Sequence, residues 1–474
     1  MNFKRLKLLL LILVLMLFCG NKTVLAREAN DESKKLLKEN NINLDLKKFI
    51  PLNEKDSNSI KELDRLDNDL ELQEYDGNYI GIGKEGVIEY LDLLDGIGKQ
   101  QTIPLRKPLG THKINAENLK EDIIKELKAS KMVDDDYVLY ETYPIFEQYT
   151  QMILTKESRI NNIFDNTSII VDNLTGQIIH FSKQKDFVLD DIAINEIENK
   201  EKEVREIVNR FLLENSKPGL KISEITLKVI KLDHPYLMEN KEKISRIYNN
   251  EYFIGYDVEL TNGIRIYVDG ETLNLVYLDD VENSTSFYDR EKGRYRWERA
   301  KNIAAVMGLK GLPGGQVGVS SNGTHNKSSI LYNINTNTNQ RGFSFTGYST
   351  NNGNAMFLTS SSQNGSTPHV IIKSSECRTN SRWKLVFMDM CQSEAANTWA
   401  SVFNIWSSSK GKVLLGWRGN VGVSTSYVYT TNLKNNCERY RSNSLYSNSV
   451  RAVKQTNSAG YNASILNYRG DQNF

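Results

Sequence analysis

Trp383 to Cys391 reads WKLVFMDMC, and this stretch decides the fold. The run from Lys384 to Met390 is long enough for a strand. Leu385, Val386, Phe387 and Met388 in succession predict one that is buried on both faces. Asp389 and Cys391 then stand at its carboxyl end, where open α/β sheets carry their reactive groups. A helical segment from Ser393 to Trp406 follows, and after it a second buried run, KVLLGW, from Lys412 to Trp417. Strand, cysteine, helix, strand presents a thiol at a sheet edge for nucleophilic chemistry.

Further candidate strands lie at Ile330–Ile334, Gly342–Thr346 and His369–Lys373, with helical patterns at Glu394–Trp406 and Ser424–Leu433. Strands alternating with helices predict a three-layer α/β sheet for residues 308–474. Trp399, Phe403 and Trp406 recur at helical spacing and read as core.

The chain opens differently. Lys4, Arg5 and Lys7 precede an apolar run from Leu8 to Phe18, and Val24-Leu25-Ala26 supplies a small-residue cleavage site. Residues 1–26 therefore read as a secretory signal peptide, with a secreted or cell-wall-associated product starting near Arg27. Leu17 and Phe18 are too bulky before Cys19 for a good lipidation site. No other apolar run is long enough to span a bilayer. About 450 residues remain, enough for two or three domains.

A net charge of +1 conceals a division. From Lys301 to Phe474 there are 17 Lys/Arg against 5 Asp/Glu, a balance of +12, whereas Arg27 to Ala300 carries −15. Opposite signs predict that an acidic amino-terminal region docks on a basic carboxyl-terminal domain. Different ancestry of the two halves would leave the same asymmetry. Three cysteines follow the signal: Cys377, Cys391 and Cys437. An odd number in an oxidising compartment implies a free thiol or an intermolecular bridge. A Cys377–Cys437 bridge would leave Cys391 free, though spacing does not fix the pairing.

Residues 27–110 are charged and read as helical or loosely ordered. A repeat appears in residues 111–285. SIIVDNLTGQIIHFS (Ser168–Ser182) and IRIYVDGETLNLVYL (Ile264–Leu278) share strand, Val-Asp-x-x-Thr turn and strand. The turns match Val171 with Val268, Asp172 with Asp269 and Thr175 with Thr272, and Asp before Asn or Gly favours a tight hairpin. Helical patterns precede each hairpin, at Ala116–Ala129 and Ala193–Leu213. These α+β units resemble the PepSY and cystatin-like domains in propeptides of secreted bacterial peptidases. The resemblance implies an inhibitory or chaperone-like prodomain.

His112, His180 and His234 are scattered and suggest no metal site, and H-E-x-x-H is absent, which excludes the zinc peptidases that carry it. Residues 286–307, including SFYDREKGRYRWERAK (Ser286–Lys301), read either as a linker with a trypsin-like processing site or as an amphipathic connecting helix.

From Ile330 to Leu433 the chain resembles the caspase–gingipain–legumain group of cysteine peptidases. In that group one buried strand ends in Gly-His and a later one in Asp-x-Cys or Ala-Cys. Asp389-Met390-Cys391 matches the second element, and Leu414–Gly419 (LLGWRG) matches the strand bordering the substrate cleft. RGFSFTGYST (Arg341–Thr350) supplies the first strand and Gly347, but Tyr348 stands where the group has histidine. The resemblance implies Cys391 as nucleophile, Gly347 shaping an oxyanion site through its N–H, and Tyr348 in place of the base. Tyrosine, with a reference pKa near ~10, is a poor base at neutral pH. His325, in a polar loop, is the substitute base, with His369 a second candidate.

Gly347-Tyr348-Ser349 nearly spells G-x-S-x-G, yet the last glycine is missing and no histidine follows His369, so the serine-hydrolase order fails. Walker, dinucleotide and C-x-x-C motifs are absent, and no cofactor is expected. The expectation is a secreted cysteine-peptidase-like protein with an inhibitory prodomain, acting on peptide or protein substrates. The alternative is a non-catalytic pseudopeptidase or effector that engages anionic partners such as cell-wall polyanions.

Overall fold

A computed structural model of the chain describes residues 26–39, 44–95, 116–156, 166–173, 175–184, 197, 200–232, 235–279, 293–312, 314–318, 327–336, 340–349, 352–357 and 371–474. The expected signal peptide, apart from Ala26, lies outside these residues, as do His112, His234, His325, His369 and Ser286–Lys292. The fold is mixed α and β, with several antiparallel sheets and one largely parallel one.

The first elements are helix α1 (Asp31–Glu39), strand β1 (Ile50–Pro51), helix α2 (Glu54–Asp64) and strands β2 (Glu71–Tyr75), β3 (Asn78–Ile82) and β4 (Ile88–Asp92). Asn53 starts α2 by accepting the Asp56 N–H at 2.9 Å, and Arg65 ends it in the left-handed conformation. Helix α3 (Ala116–Ala129) leads into β5 (Tyr137–Ile145), β6 (Tyr149–Lys156), β7 (Asn166–Asp172) and β8 (Ile178–Lys183). These strands form one eight-stranded sheet in the order β1-β2-β3-β4-β8-β7-β6-β5, with Asp92 opposite His180 where its two halves meet. The reading of residues 27–110 as helical or loosely ordered is corrected here. Ile80, Ile82, Ile88 and Leu91 bury in the same core as Ile169 and Phe181, so β2–β4 complete the first repeat's sheet.

The repeat itself stands out. Helix α4 (Glu201–Glu214) precedes β9 (Ile222–Lys231), a short helix α5 (Pro235–Glu239), β10 (Tyr252–Leu260), β11 (Arg265–Asp269) and β12 (Leu275–Asp279). Each unit is thus a helix followed by a four-stranded antiparallel meander. The shared turn has a shared mechanism. Asp172 Oδ1 accepts the Thr175 N–H at 3.0 Å, and Asp269 Oδ1 accepts the Thr272 N–H at 2.8 Å.

The carboxyl-terminal elements are α6 (Gly293–Leu309), β13 (Gly314–Gly318), α7 (Lys327–Asn335), β14 (Gly342–Thr346), β15 (Ala355–Phe357) and β16 (Ile371–Lys373). They continue through β17 (Leu385–Asp389), α8 (Thr398–Phe403), β18 (Val413–Trp417), α9 (Val423–Arg439), α10 (Leu445–Ser458) and β19 (Leu466–Gly470). Strands β13-β14-β17-β18 run parallel, and β19 closes the order antiparallel to β18. Leu385 and Phe387 share a core with α6, α9 and α10, while Val386 and Met388 share one with α7 and α8. Burial on both faces follows, as the apolar run predicts.

Four expectations for this half change. Ile330–Ile334 is helical, because Ile330 and Ile334 lie four apart on a buried face while Tyr332 is 59 % exposed. Residues 371–373 leave the main sheet and pair with β15. The helix expected from Glu394 is confined to Thr398–Phe403. Two N–H groups of its preceding turn go to β18 and the residues just after it, Glu394 to Trp417 O and Gln392 to Gly419 O. The boundary at 307/308 falls inside α6, whose Arg299 has no solvent exposure. From Gly293 on, the connecting-helix alternative holds.

Helix α10 has no counterpart among the expected elements, and all of its residues are buried. One side packs on α9 through Val450 and Val453. The other presents Arg451 and Asn457 to the eight-stranded sheet and Lys454 to the end of α2. There Arg451 pairs with Asp92 (2.7 Å) and Asp95 (2.5 Å), Lys454 with Asp64 (2.6 Å), and Asn457 with Gln151 (2.9 Å). A polar helix buries only when such partners meet it.

Candidate functional site

Strands β14 and β17 are parallel neighbours with Thr346 opposite Asp389, so their carboxyl ends emerge side by side. Beyond them the chains stay stitched together. The Gly347 N–H donates to Asp389 O at 3.2 Å, and Ser349 Oγ donates to Cys391 O at 2.7 Å. The structure therefore brings Gly347, Tyr348 and Cys391 to one sheet end. His325 lies outside the described residues.

Their chemistry is another matter. Cys391 is completely buried. Its Sγ accepts the Val421 N–H at 3.1 Å and lies 3.6 Å from Val421 O, in the turn that opens α9. The sulfur also belongs to the apolar core beneath the sheet, with Leu385, Phe387 and Trp417. The oxyanion role assigned to Gly347 is corrected: its N–H is already committed to Asp389 O. The Arg296 guanidinium covers the Tyr348 ring at 3.9 Å, a cation–π contact from α6.

Asp389 points beneath the sheet, not into a cleft. Oδ1 accepts from Trp417 Nε1 at 2.9 Å and Ser426 Oγ at 2.5 Å, and Oδ2 faces Arg299 at 3.5 Å. Arg296 and Arg299, three apart on α6, thus reach the ends of two adjacent strands. Sequence reasoning assigned neither to the site. Their i, i+3 spacing in GRYRWER was the available signal.

The turn after β17 is equally built in. Ser393 Oγ donates to Met388 O (2.7 Å) and accepts the Trp417 N–H (2.9 Å). Glu394 is buried against Arg469 and Asn467, and burial raises its carboxyl above the usual range. Gly353, with φ +69°, runs so close to Gln392 O that a Cβ would sit 2.0 Å from it.

The postulated Cys377–Cys437 bridge does not form. Burial pushes the Cys377 thiol up to about 12 and the Cys437 thiol up to about 11, so neither is a thiolate at neutral pH. His180 is buried under the eight-stranded sheet beside Tyr90, and burial lowers it to about 3. No group of three metal-ligating side chains occurs among the described residues, and no helix there is long and apolar enough to cross a membrane.

No family model matches the chain, and no curated protein matches it. Among solved structures, the Bacillus megaterium YpeB C-terminal domain aligns with a TM-score of 0.30 and 11% identity. That alignment covers 56% of this chain and 100% of that one.

Proposed function

We propose that this chain is a non-catalytic, peptidase-like binding protein of the cell exterior, with its acidic amino-terminal half permanently docked on the basic carboxyl-terminal domain. The observation that carries the reading is the burial of Cys391, whose sulfur is engaged by Val421 and packed in the core. A nucleophile must meet a carbonyl at near-attack distance, and a fully buried thiol offers no such approach. Peptidase descent draws support from the parallel order β13-β14-β17-β18 and from Gly347-Tyr348 beside Asp389-Met390-Cys391. Tyr348 in place of histidine, held under Arg296, agrees with lost turnover.

The amino-terminal half is integral in this reading. Ion pairs cross between the halves at Arg451 with Asp92 and Asp95, Lys454 with Asp64, and Arg439 with Asp56. A released prodomain would leave Arg451 and Lys454 buried or newly exposed without partners. The cation excess of the carboxyl-terminal half makes anionic cell-wall polymer the expected partner.

Iodoacetamide labelling of the native chain, followed by peptide mapping, tests the proposal. The expected result is no modification of Cys391 until denaturant is added, with Cys391→Ala retaining salt-sensitive binding to an anionic matrix. Rapid native labelling of Cys391, or a peptidase activity abolished by Cys391→Ala, would overturn it.

A further inference from the structure

The sheet of the second repeat has two unlike faces. Ile254, Tyr256, Val258 and Ile266 bury in one core with Val204 and Val208 of α4. On the opposite face, Thr226 stands across from Asp257, Glu224 from Glu259, and Glu259 from Arg265. This charged face floors a cleft of about 340 Å³. Edge strand β5 and the turn after α10 supply its other walls.

The cleft has an excess of negative charge. Glu141, Glu224, Asp257 and Glu259 line it, against Lys228, Lys231 and Arg265. Two of those cations are already committed. Lys228 pairs with Asp257, and Arg265 with Asp257 and Glu259, each at 3.4 Å. Glu224 lies directly opposite Glu259, and like charges so placed repel. At the floor, Asp257 is only 5 % exposed, yet its Oδ1 has no hydrogen-bond partner among the described residues. A buried carboxylate oxygen left without a donor is costly unless a ligand or solvent supplies one. Tyr140, Tyr143, Tyr267 and Tyr461 add aromatic rings to the same lining.

We propose that this cleft binds a small organic cation carrying a primary ammonium group. An ammonium supplies three donors and a charge, which meets the spare acceptor of Asp257 and relieves the Glu224–Glu259 repulsion. Tyrosine rings favour a cation over a neutral solute of the same size. Lys228 and Arg265 are taken by Asp257 and Glu259, whereas Glu141 and Glu224 pair with no cation among the described residues. The volume suits a ligand no larger than an amino acid or an amino sugar. The site is independent of Cys391, so its failure and that of the preceding proposal are separable.

Titration calorimetry on the full chain with 1,5-diaminopentane tests the assignment, with glucose and glutarate as neutral and anionic controls. Binding of the diamine alone is expected, unchanged in Cys391→Ala and weakened about tenfold by Glu224→Gln. Glu224 is exposed at the mouth, so that variant should keep the parent's melting temperature. No heat with the diamine, equal binding of glucose or glutarate, or undiminished binding in a Glu141→Gln/Glu224→Gln variant would overturn the proposal.

Discussion

Arg299 of helix α6 and Asp389 of strand β17 form an ion pair at 3.5 Å in which neither side chain has any solvent exposure. One residue comes from the stretch joining the halves, the other from the end of the central strand. Trp417 and Ser426 donate hydrogen bonds to the carboxylate's other oxygen, Oδ1. The joining segment is thereby part of the carboxyl-terminal core.

Removing one member of this pair should leave a buried charge without its counterpart. Arg299→Met or Asp389→Leu is expected to cost about 3–5 kcal/mol of stability, and the double variant should recover a good part of it. Urea unfolding of the four proteins measures the coupling. Additive losses in the double variant would mean that the two charges do not sense each other.

Acid should loosen the joint between the eight-stranded sheet and α10. Burial lowers His180 to about 3, so the unfolded chain takes up its proton near ~6.5 while the folded chain does not. Stability is then whole above ~6.5 and falls by about 1.4 kcal/mol per pH unit below it, until the folded histidine also protonates. Burial would raise Asp64, but the Lys454 ammonium at 2.6 Å outweighs it and holds the carboxyl at about 2. Its contribution is present above ~3.9 and disappears as pH falls towards 2. In His180→Phe the decline should begin only below pH ~4. A decline still beginning near pH 6 in that variant would assign it to another group.

The two Asp-x-x-Thr turns should differ in weight. Asp269 is 1 % exposed and accepts from Thr272, Glu271 and Ser245, whereas Asp172, 6 % exposed, counts the Thr175 N–H among its partners. Asp269→Ala is expected to cost about 2–3 kcal/mol and Asp172→Ala about 1 kcal/mol. Thermal unfolding of both variants checks the order, and equal losses would refute it.

Helix α9 borrows its cap from the other half of the chain. Its N-cap residue is Gly422, which has no side chain to offer, and Asp279 Oδ1 accepts the Ser424 N–H at 2.9 Å instead. Asp279→Ala should cost about 1–2 kcal/mol, from the lost hydrogen bond and the lost charge at the helix N-terminus. Gly422→Ala should also destabilise, because its Cβ would sit 2.6 Å from Asp279 Oδ2. Asp279→Asn, which keeps the acceptor, is expected to lose less than Asp279→Ala in the same denaturation experiment.

Local pattern carried much of the architecture. Leu385–Met388 and Val413–Trp417 bury as their composition requires, and the Asp172 and Asp269 turns repeat because an Asp side chain organises its own following backbone. Local pattern misled where a short apolar run suited either period. Ile330 and Ile334 fit a strand of five as well as one face of a helix, and the helix formed. It was silent on α10, since Asn, Ser, Arg and Lys in LYSNSVRAVKQTNS read as a solvated surface until Asp64, Asp92 and Gln151 cover them.

The sequence by itself determined the elements whose stabilising contacts are near in the chain: the central strands and the paired hairpin turns. Only the tertiary structure decided what those residues can do. Whether Cys391 meets solvent or Val421, and whether Asp389 faces a cleft or Arg299, depends on segments many residues away. Burial and charge pairing are properties of the three-dimensional surroundings, and no local periodicity encodes a partner that arrives from the far end of the chain.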